Sequence, residues 1–285
     1  MIKLKENNSL HWHKMSGKKP EKAEAFLIER ERYCVAASAR FLNIRKSRGH
    51  VWRLENGDAD LFGLLIHSRR TLFPIFNKDF HNGNPQFINR IPGMSPIYAV
   101  QGLRDDTDIL LSIMKYKGYL ATEHVDYDLM NIEKGAVPFR AGVPGLVLRG
   151  NVSGDEEEIF LLQSEYEKEE VLPKNAVFDP AVCRLNLKHI LSSEKMLLAE
   201  LNGEIIGKIN TSAKSFSMYQ IGGVYVRPDC RGRGIGLAMT AAFTEKLLAE
   251  GKGISLFVKK WNTAAKTIYR KAGYEVISDY RISYF

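Results

Sequence analysis

The stretch Ile221–Ala249 decides the fold of this chain and reads IGGVYVRPDCRGRGIGLAMTAAFTEKLLA. Its first residues are β-branched or aromatic and include two adjacent glycines, which predicts a strand with a bulge or splay. Pro228 and Asp229 end that strand, and the residues from Leu237 onward have the apolar periodicity of a long helix. The stretch therefore predicts a strand, a short turn and a helix in direct succession.

Glycines at alternate positions mark the turn as an anion site: Gly232, Gly234 and Gly236 are interleaved with Arg231 and Arg233. The unpaired N–H groups of a helix N-terminus carry the positive end of the helix dipole and suit a phosphate. Glycine lets the backbone approach such a ligand, and arginine adds permanent charge and forked donors for a pyrophosphate. Glycines alone would also fit a tight turn with a solvated basic rim, but the flanking strand, helix and arginines favour phosphate.

Composition is that of a globular protein with one large domain or two of ordinary size. The chain has 285 residues, of which 45% are hydrophobic and 26% are charged. The sequence shows neither an apolar run long enough for a bilayer nor the apolar core of a signal peptide at its start. Its cysteines, Cys34, Cys183 and Cys230, are scattered, without paired metal-ligand spacing. We therefore expect a cytoplasmic protein without a membrane partner.

Metal ions and nucleic acids are not expected as partners. His11 and His13 flank Trp12, but without a third ligand nearby they favour surface side chains over a metal site. The net charge of +8 lies mostly in residues 1–142, yet the charges alternate in sign and form no long basic run. Because no nucleic-acid motif accompanies that charge, the sequence predicts neither a metal cofactor nor binding to DNA or RNA.

Secondary-structure signals divide the chain into two α/β domains, residues 1–142 and 143–285. Between them, residues 133–145 are rich in glycine and proline and lack periodicity, as in a linker. The first domain opens on a polar lead-in, followed by one amphipathic helix from Pro20 to about Asn43. It continues as a hairpin, a strand, a loop-rich segment from Asn77 to Gly93, and a strand–helix–strand unit.

The second domain reads as a strand, two helices and a hairpin before Ile221–Ala249, and as a strand, a helix and a strand after it. Asn202-Gly203 closes the hairpin, because this dipeptide is the strongest short signal for a two-residue turn. Asn262 is a good N-cap and Gly273 a good final residue for the short helix that lies between them.

Tyr269 lies seven positions after Asn262, two helical turns along, so both residues project from nearly one face. A tyrosine there can donate a proton, because its ordinary pKa of about 10 is not far above that of a thiol leaving group. The alternative is a packing aromatic on an amphipathic helix, which is the more usual role of an aromatic residue at helical spacing.

Two ordered motifs, taken together, resemble one protein family. The first resembles the acetyl-CoA signature of the GNAT superfamily of N-acetyltransferases and reads Val226-x-Pro228-x-x-Arg231-x-x-Gly234-x-Gly236. The second is similar to that family's other signature and reads Asn262-x-x-Ala265-x-x-x-Tyr269-x-x-x-Gly273-Tyr274. The resemblance covers about residues 145–285. It implies an α/β (α+β) fold with a mixed, mostly antiparallel, twisted sheet flanked by helices.

The resemblance also implies roles for individual residues. Backbone groups of Val224, Tyr225 and Val226 would pair with the pantetheine arm of acetyl-CoA, and an N–H group near Val224 would polarise the acetyl carbonyl. Asn262 would contact the cofactor, and Tyr269 would protonate the departing CoA thiolate as general acid. The pyrophosphate would be held by N–H groups of Arg231, Gly232, Arg233, Gly234, Ile235 and Gly236.

The acceptor implied by the resemblance is a primary amine of a small molecule or peptide, which attacks the thioester directly. Many family members have a glutamate on the organising strand as general base, but here that strand has no acid. The candidates are Glu200, Glu204, a tyrosine or a chain of waters. Cys230 is not expected to act as a nucleophile, because no histidine lies near it in sequence.

Two other functions compete with acetyl transfer. A module that binds CoA as a sensor or scaffold, without catalysis, is the alternative that the missing strand glutamate leaves open. A Rossmann dehydrogenase is excluded, because the glycine spacing differs from G-x-G-x-x-G and the next strand ends in Lys259-Lys260 rather than an acid.

The first domain resembles a degenerate copy of the same fold, with an unrelated α/β domain as the alternative. At the position of the phosphate turn it has Leu103–Asp108, which reads LRDDTD. Its three carboxylates would stabilise a helix N-terminus but repel a pyrophosphate. We therefore expect two tandem GNAT-like domains with a single acetyl-CoA site, in a monomer or a homodimer.

Overall fold

The computed structural model describes residues 10–15, 21–46, 49–78, 80, 96–133, 135, 136 and 142–285. The chain forms two compact units, one made of Met1–Tyr127 with Ser278–Phe285 and the other of Asp128–Ile277. This division differs from the predicted boundary at residue 142. The reason is that the glycine- and proline-rich segment lies between two strands of the second unit, whereas the change of unit occurs inside long strands.

The first unit contains three helices and seven strands in the part that the structure describes, and two of those strands continue into the second unit. Its sheet has the order β1-β2-β3-β4-β5-β12-β6, and β4 and β5 are a parallel pair. Residues Tyr280–Tyr284 of β12 pair with Ala99–Leu103. The elements are β1 (His11–Lys14), α1 (Glu21–Glu29), α2 (Val35–Leu42), β2 (His50–Glu55), β3 (Leu61–Ser68), β4 (Thr71–Phe76), β5 (Ala99–Leu103), α3 (Arg104–Tyr116), β6 (Glu123–Ile132) and β12 (Glu275–Tyr284).

Two predictions for this unit are wrong. The single helix from Pro20 to Asn43 is divided by a 3₁₀ turn at Glu31–Tyr33, where Arg30 and Cys34 both leave helical backbone angles. The break falls at the charged run Glu29–Arg32, but glutamate and arginine are good helix formers, so residue type does not mark the break. The polar lead-in contains a strand, β1, which pairs with β2. The predicted loop from Asn77 to Gly93 lies mostly outside the described residues.

The second unit has the sheet order β6-β11-β10-β9-β8-β7, in which β10 and β11 are a parallel pair and β7 to β10 are antiparallel. Its strands and helices follow the predicted order. They are β7 (Leu146–Arg149), α4 (Glu156–Tyr166) with a π-helical turn (Glu167–Val171), α5 (Pro180–Ser193), β8 (Met196–Leu201), β9 (Glu204–Lys214), β10 (Met218–Val226), α6 (Ile235–Leu248), β11 (Gly253–Lys259) and α7 (Thr263–Lys271).

Local sequence signals explain where these elements start and stop. Asn202 and Gly203 have φ values of 53° and 83°, which the predicted two-residue hairpin turn requires at both positions. Asp179 caps α5 by accepting from the N–H of Ala181 at 2.8 Å. Asn262 caps α7 in the same way, as the sequence predicted.

Two hydrophobic clusters support the sheet of the second unit. One packs α4 and α5 against β8 to β10 and includes Ile159, Leu187 and Tyr225. The larger one includes residues of α6, α7 and the central strands, with Phe243 completely buried in it. Helices α6 and α7 meet closely at Gly236, where a Cβ would lie 3.2 Å from Ile268.

The larger cluster can be tested through Phe243→Ala. Because the ring is 0% exposed, we expect its removal to lower the free energy of unfolding by about 3–5 kcal/mol. The matched control is Leu161→Ala, at a side chain that is 65% exposed, with an expected change within about 0.5 kcal/mol. Urea unfolding measures both, and equal losses would contradict the placement of α6 in the core.

Candidate active site

Strand β10 carries a bulge at its paired glycines. Between the pairs Gly222–Asn210 and Tyr225–Lys208, β10 has one residue more than β9. Gly223 has a φ of +61°, and a Cβ at this position would collide with the amide oxygen of Asn210. A side chain therefore has no place here, and the predicted bulge is confirmed.

Beyond the bulge, β10 and β11 part from each other. Their parallel pairing joins Met218–Gln220 to Gly253–Ser255 and does not extend to the later residues of either described strand. Val224, Tyr225 and Val226 therefore lie on the part of β10 that has no ladder with β11. This arrangement is the splay that the sequence predicted.

The turn after β10 leads to a helix N-terminus without a side-chain cap. Gly232 and Gly234 have φ values of +77° and +82°. A Cβ on Gly232 would have no neighbour within 4 Å, so backbone conformation rather than crowding requires glycine there. Gly234 is the N-cap of α6, no side chain bonds to its first N–H groups, and Ile235 is its first helical residue. These N–H groups suit an anion.

The two arginines of the turn have different surroundings. Arg231 donates to the Val226 carbonyl at 2.9 Å and to the Glu169 carboxylate at 2.9 Å. Arg233 is exposed and has no ion-pair partner among the residues that the structure describes. Arg233 is thus the cation of the turn that is not already neutralised. The contact of Arg231 with Glu169 was missed from sequence, because it joins segments that are 62 residues apart.

The second motif lies on α7, as predicted. Asn262 uses its side-chain oxygen to cap the helix at Ala265 and donates through Nδ2 to Glu170 at 3.2 Å. Tyr269 is 8% exposed and lies in the larger hydrophobic cluster, with its ring centroid 6.2 Å from that of Tyr274. Burial raises the pKa of Tyr269 well above its ordinary value, so the phenol keeps its proton at neutral pH.

The two carboxylates that the sequence offers as general base are both in ion pairs. Glu200 accepts from Arg149 at 2.7 Å, and Glu204 accepts from Arg227 at 3.0 Å. Both lie at the turn end of the β8–β9 hairpin, and Glu204 is about 13 Å of strand away from Lys208, which pairs with Tyr225 at the end of the bulge. The structure does not bring either carboxylate to the bulge.

Histidines and cysteines do not assemble into a metal site in the described part of the chain. No group of three or more His, Cys, Asp or Glu side chains there has the arrangement for a metal ion. His11 and His13 lie on β1 with ring centroids 6.5 Å apart. Cys34, Cys183 and Cys230 are buried and free.

A completely buried lysine, missed from sequence, lies behind the bulge. The ammonium group of Lys208 donates to the Gly223 carbonyl at 2.9 Å and to the Asn210 side-chain oxygen at 3.2 Å. It also lies 4.7 Å from the ring centroid of Tyr166. Burial lowers the pKa of Lys208 to about 7, against the opposing effect of Glu167 nearby. The available signal was a lysine in the middle of the otherwise mainly apolar run Ile205–Ile209.

Tyr166 holds the bulge at a second point. Its hydroxyl accepts a hydrogen bond from the N–H of Gly223 at 3.2 Å. Burial raises the pKa of Tyr166 to about 12. The bulge residue Gly223 is therefore fixed through both its N–H and its carbonyl by side chains of α4 and β9.

The burial of Lys208 predicts a pH dependence of stability. Its folded-state pKa of about 7 lies below the unfolded value of about 10.4. The unfolded chain therefore binds more protons between these values, and the contribution of Lys208 to stability rises with pH across that window. Wild type should lose free energy of unfolding as the pH falls from about 9 to about 6, whereas Lys208→Met lacks this loss. The difference in free energy of unfolding should therefore change in favour of the variant.

Urea unfolding at both pH values measures this difference. The control is Lys252→Met, since Lys252 is only partly buried and donates to the Phe216 carbonyl at 2.8 Å. We expect this control to show no such change with pH. A Lys208→Met effect that is equal at both pH values would contradict a shifted pKa for Lys208.

No helix in the described residues has the length and apolar character that a bilayer crossing requires. Residues 159–274 match the model of the Acetyltransferase (GNAT) family. This range contains the bulge, the glycine-rich turn Arg231–Gly236 and the α7 motif.

Curated relatives match the same part of the chain. An acetyltransferase of Pectobacterium atrosepticum is 39% identical over 84 residues, which is 28% of this chain and 57% of the relative. An acetyltransferase of Sodalis glossinidius is 37% identical over 83 residues, which is 28% of this chain and 56% of the relative. The chain thus spans little more than half the length of these relatives.

Solved structures match nearly the whole chain. A GCN5-related N-acetyltransferase from Sphaerobacter thermophilus has a TM-score of 0.57 and 19% identity, covering 95% of this chain and 94% of its own. A tandem GNAT protein from the clavulanic acid biosynthesis pathway has a TM-score of 0.56 and 11% identity, covering 96% and 97%. These likenesses show a GNAT-like mixed α+β fold. Residues 159–274 of the second unit thus match the acetyltransferase (GNAT) family model in sequence and lie within a GNAT-like fold.

Proposed function

We propose that the second unit is an acetyl-CoA-dependent N-acetyltransferase that acts on a primary amine of a small molecule or peptide. The observation that carries this proposal is the junction of β10 and α6. There, a bulged strand that has parted from its parallel neighbour leads directly to an uncapped helix N-terminus. This junction provides backbone groups for an extended arm and an anion site for a pyrophosphate in one continuous segment.

The residues of this junction fit acetyl-CoA. The N–H groups from Arg231 through Gly236 would hold the pyrophosphate, because the turn has open backbone donors and no crowding at Gly232. Arg233 would add the unneutralised positive charge. The backbone of Val224–Val226 would pair with the pantetheine arm, and Asn262, at the start of α7, would contact the cofactor.

The chemistry that acetyl-CoA supplies is an activated thioester carbonyl. An N–H group near Val224 would stabilise the negative charge that develops on the carbonyl oxygen when the amine attacks. Tyr269, whose phenol is protonated at neutral pH, would protonate the departing thiolate. The amine attacks directly, with no covalent intermediate on the enzyme.

The proton of the acceptor amine leaves by a route that does not use a strand acid. Glu200 and Glu204 are in ion pairs away from the bulge. The pKa values of Tyr166 and Tyr225 are raised to about 12, so these phenols are protonated and unsuited to accept a proton at neutral pH. These observations favour a chain of waters among the candidate bases.

The first unit is proposed to have no acetyl-CoA site. Helix α3 begins at Arg104 with Asp105 and Asp106 in its first turn. Asp105 is exposed, whereas Asp106 is 3% exposed and burial raises its pKa to about 8, so Asp106 adds little negative charge there at neutral pH. The Asp105 carboxylate therefore lies where the second unit has glycines, and it would disfavour a pyrophosphate.

A CoA-binding sensor without catalysis is the second candidate function. It is favoured by the deep burial of Tyr269 in the hydrophobic cluster and by the absence of an acid on the described strand β10. Release of free CoA thiol in the presence of amines separates the two functions. Acetyl-CoA binding without thiol release across a broad amine panel would favour the sensor.

Acetyl-CoA should raise the melting temperature of the protein by roughly 5–10 °C at about 100 times its Kd. Gly234→Glu should abolish this shift, because a carboxylate at the N-cap of α6 would repel the pyrophosphate. The matched control is Gly251→Glu, since Gly251 also has a positive φ, of +74°, and no neighbour within 4 Å of its Cβ. An unchanged melting temperature of the wild-type protein in acetyl-CoA would contradict the cofactor assignment.

Tyr269→Phe should lower kcat by about 100-fold, as expected for loss of a general acid, with little change in the KM for acetyl-CoA. Tyr274→Phe is the control, because this tyrosine is also buried, bonds to Thr244 at 2.8 Å and has no proposed part in the reaction. Thiol release with a responsive amine measures both variants. Equal rates in the two variants would remove Tyr269 from the mechanism.

A further inference from the structure

The peptide group that joins Gly223 to Val224 has a buried ammonium group on its carbonyl side. Lys208 is 0% exposed, and its Nζ lies 2.9 Å from the Gly223 oxygen. A peptide group is planar, and in its trans form the C=O and N–H bonds point in opposite directions. Fixing the Gly223 oxygen at Lys208 therefore also fixes the direction of the Val224 N–H, which points away from the lysine.

The same contact alters the strength of the Val224 N–H as a donor. A hydrogen bond from an ionised donor is about twice as strong as a neutral one, and it polarises the acceptor group. Polarisation passes through a chain of hydrogen bonds, with about 10–30% strengthening per bond. A protonated Lys208 on the carbonyl therefore makes the N–H on the other side of the same peptide a better donor.

Lys208 has a defined set of neighbours from every element packed around it. Tyr166 of α4 stacks under its Nζ, and Glu167 and Cys183 are the charged or titratable groups that act on it. Asn210 of its own strand accepts its second hydrogen bond. Glu167 is in turn held by Gln163, whose Nε2 donates to it at 2.9 Å. Since Lys208 is completely buried among these groups, any effect that it has on a reaction must pass through the peptide rather than through contact with substrate.

A structural role at this position requires only a neutral donor to the Gly223 carbonyl, and does not explain why the donor is charged. Buried ionic groups can often be replaced by apolar residues of similar volume without loss of stability. Methionine would fill a similar space between α4 and β10 without burying a charge. The feature that lysine adds is a charged donor on one particular carbonyl, at the bulge.

We propose that Lys208 is a positioning residue for acetyl transfer, which fixes and polarises the Gly223–Val224 peptide so that its N–H binds the acetyl carbonyl oxygen. This inference rests on the proposed function and deepens it, because it assigns the side chain that sets the direction and strength of the oxyanion donor. The protonated lysine is the active form. Because its pKa is about 7, polarisation should weaken as the pH rises through neutrality.

Infrared difference spectroscopy of carbonyl-labelled acetyl-CoA on the full chain tests this inference without an acceptor amine. In wild type, the carbonyl stretch should move to lower frequency than in free acetyl-CoA, and this downshift should decrease above about pH 7. In Lys208→Met the downshift should be smaller and independent of pH, with the Kd for CoA unchanged within about twofold. With a responsive amine, kcat should fall about 10-fold at unchanged KM, less than the roughly 100-fold or greater loss on removal of a whole oxyanion donor.

Two further variants complete the experiment. Lys252→Met also removes a lysine bond to a backbone carbonyl, that of Phe216, and should leave the downshift as in wild type. Lys208→Gln keeps an uncharged donor and should give an intermediate downshift without pH dependence. This variant also provides the test if Lys208→Met does not fold. Acetyl-CoA binding with the same carbonyl frequency in wild type and in either Lys208 variant would overturn the inference. Failure of wild type to bind acetyl-CoA would instead overturn the proposed function.

Discussion

The site depends on one extra residue in β10. Because β10 has one residue more than β9 between Gly222 and Tyr225, the strand bends at the point where its pairing with β11 has already ended. A regular ladder would pair the backbone groups of β10 on both sides and leave none for a ligand. The bulge and the splay are thus two aspects of the same local departure from regular pairing, and α6 begins shortly after them.

Buried polar side chains maintain that departure. A bulge leaves backbone groups without ladder partners, and buried groups of this kind must find others. Gly223 finds them in Tyr166 and Lys208, one for each of its backbone polar groups. Desolvation of the Lys208 ammonium group, which lowers its pKa, is a free-energy cost of keeping the bulge in one conformation. Local strain and buried charge concentrate where the site is proposed, as they commonly do in functional regions.

Much of the second unit could be predicted from sequence, because its signals are local. Asn202-Gly203, Asn262 and the glycines after Pro228 act within a few residues of themselves, through backbone angles and caps. The environment of Lys208 could not be predicted, since a lysine on a strand is ordinarily exposed and its burial depends on α4 and α5. The same limit applies to Glu169, which reaches Arg231 from a distant segment, and to Tyr269, whose burial leaves its predicted role open.

The division of the chain into units was beyond sequence reasoning for a related reason. Ser278–Phe285 belongs to the first unit, where Arg281 donates to Asp126 at 2.7 Å, 155 residues earlier in the chain. No local sequence pattern indicates that the end of the chain belongs to the first unit. The glycine- and proline-rich segment near residue 142 is a stronger local signal, but it lies within a unit.

This late strand has a consequence for how the protein is made. Domains generally fold in order as they leave the ribosome, at about 5–20 residues per second. Here the residues of β12 that pair with β5 are translated only after the whole of Asp128–Ile277. For a period on the order of ten seconds, the nascent first unit exposes an unpaired β5 edge, which is a template for wrong strand pairing. Completion of the first unit is therefore tied to synthesis of the second, and chaperones that cover strand edges would have most effect during that interval.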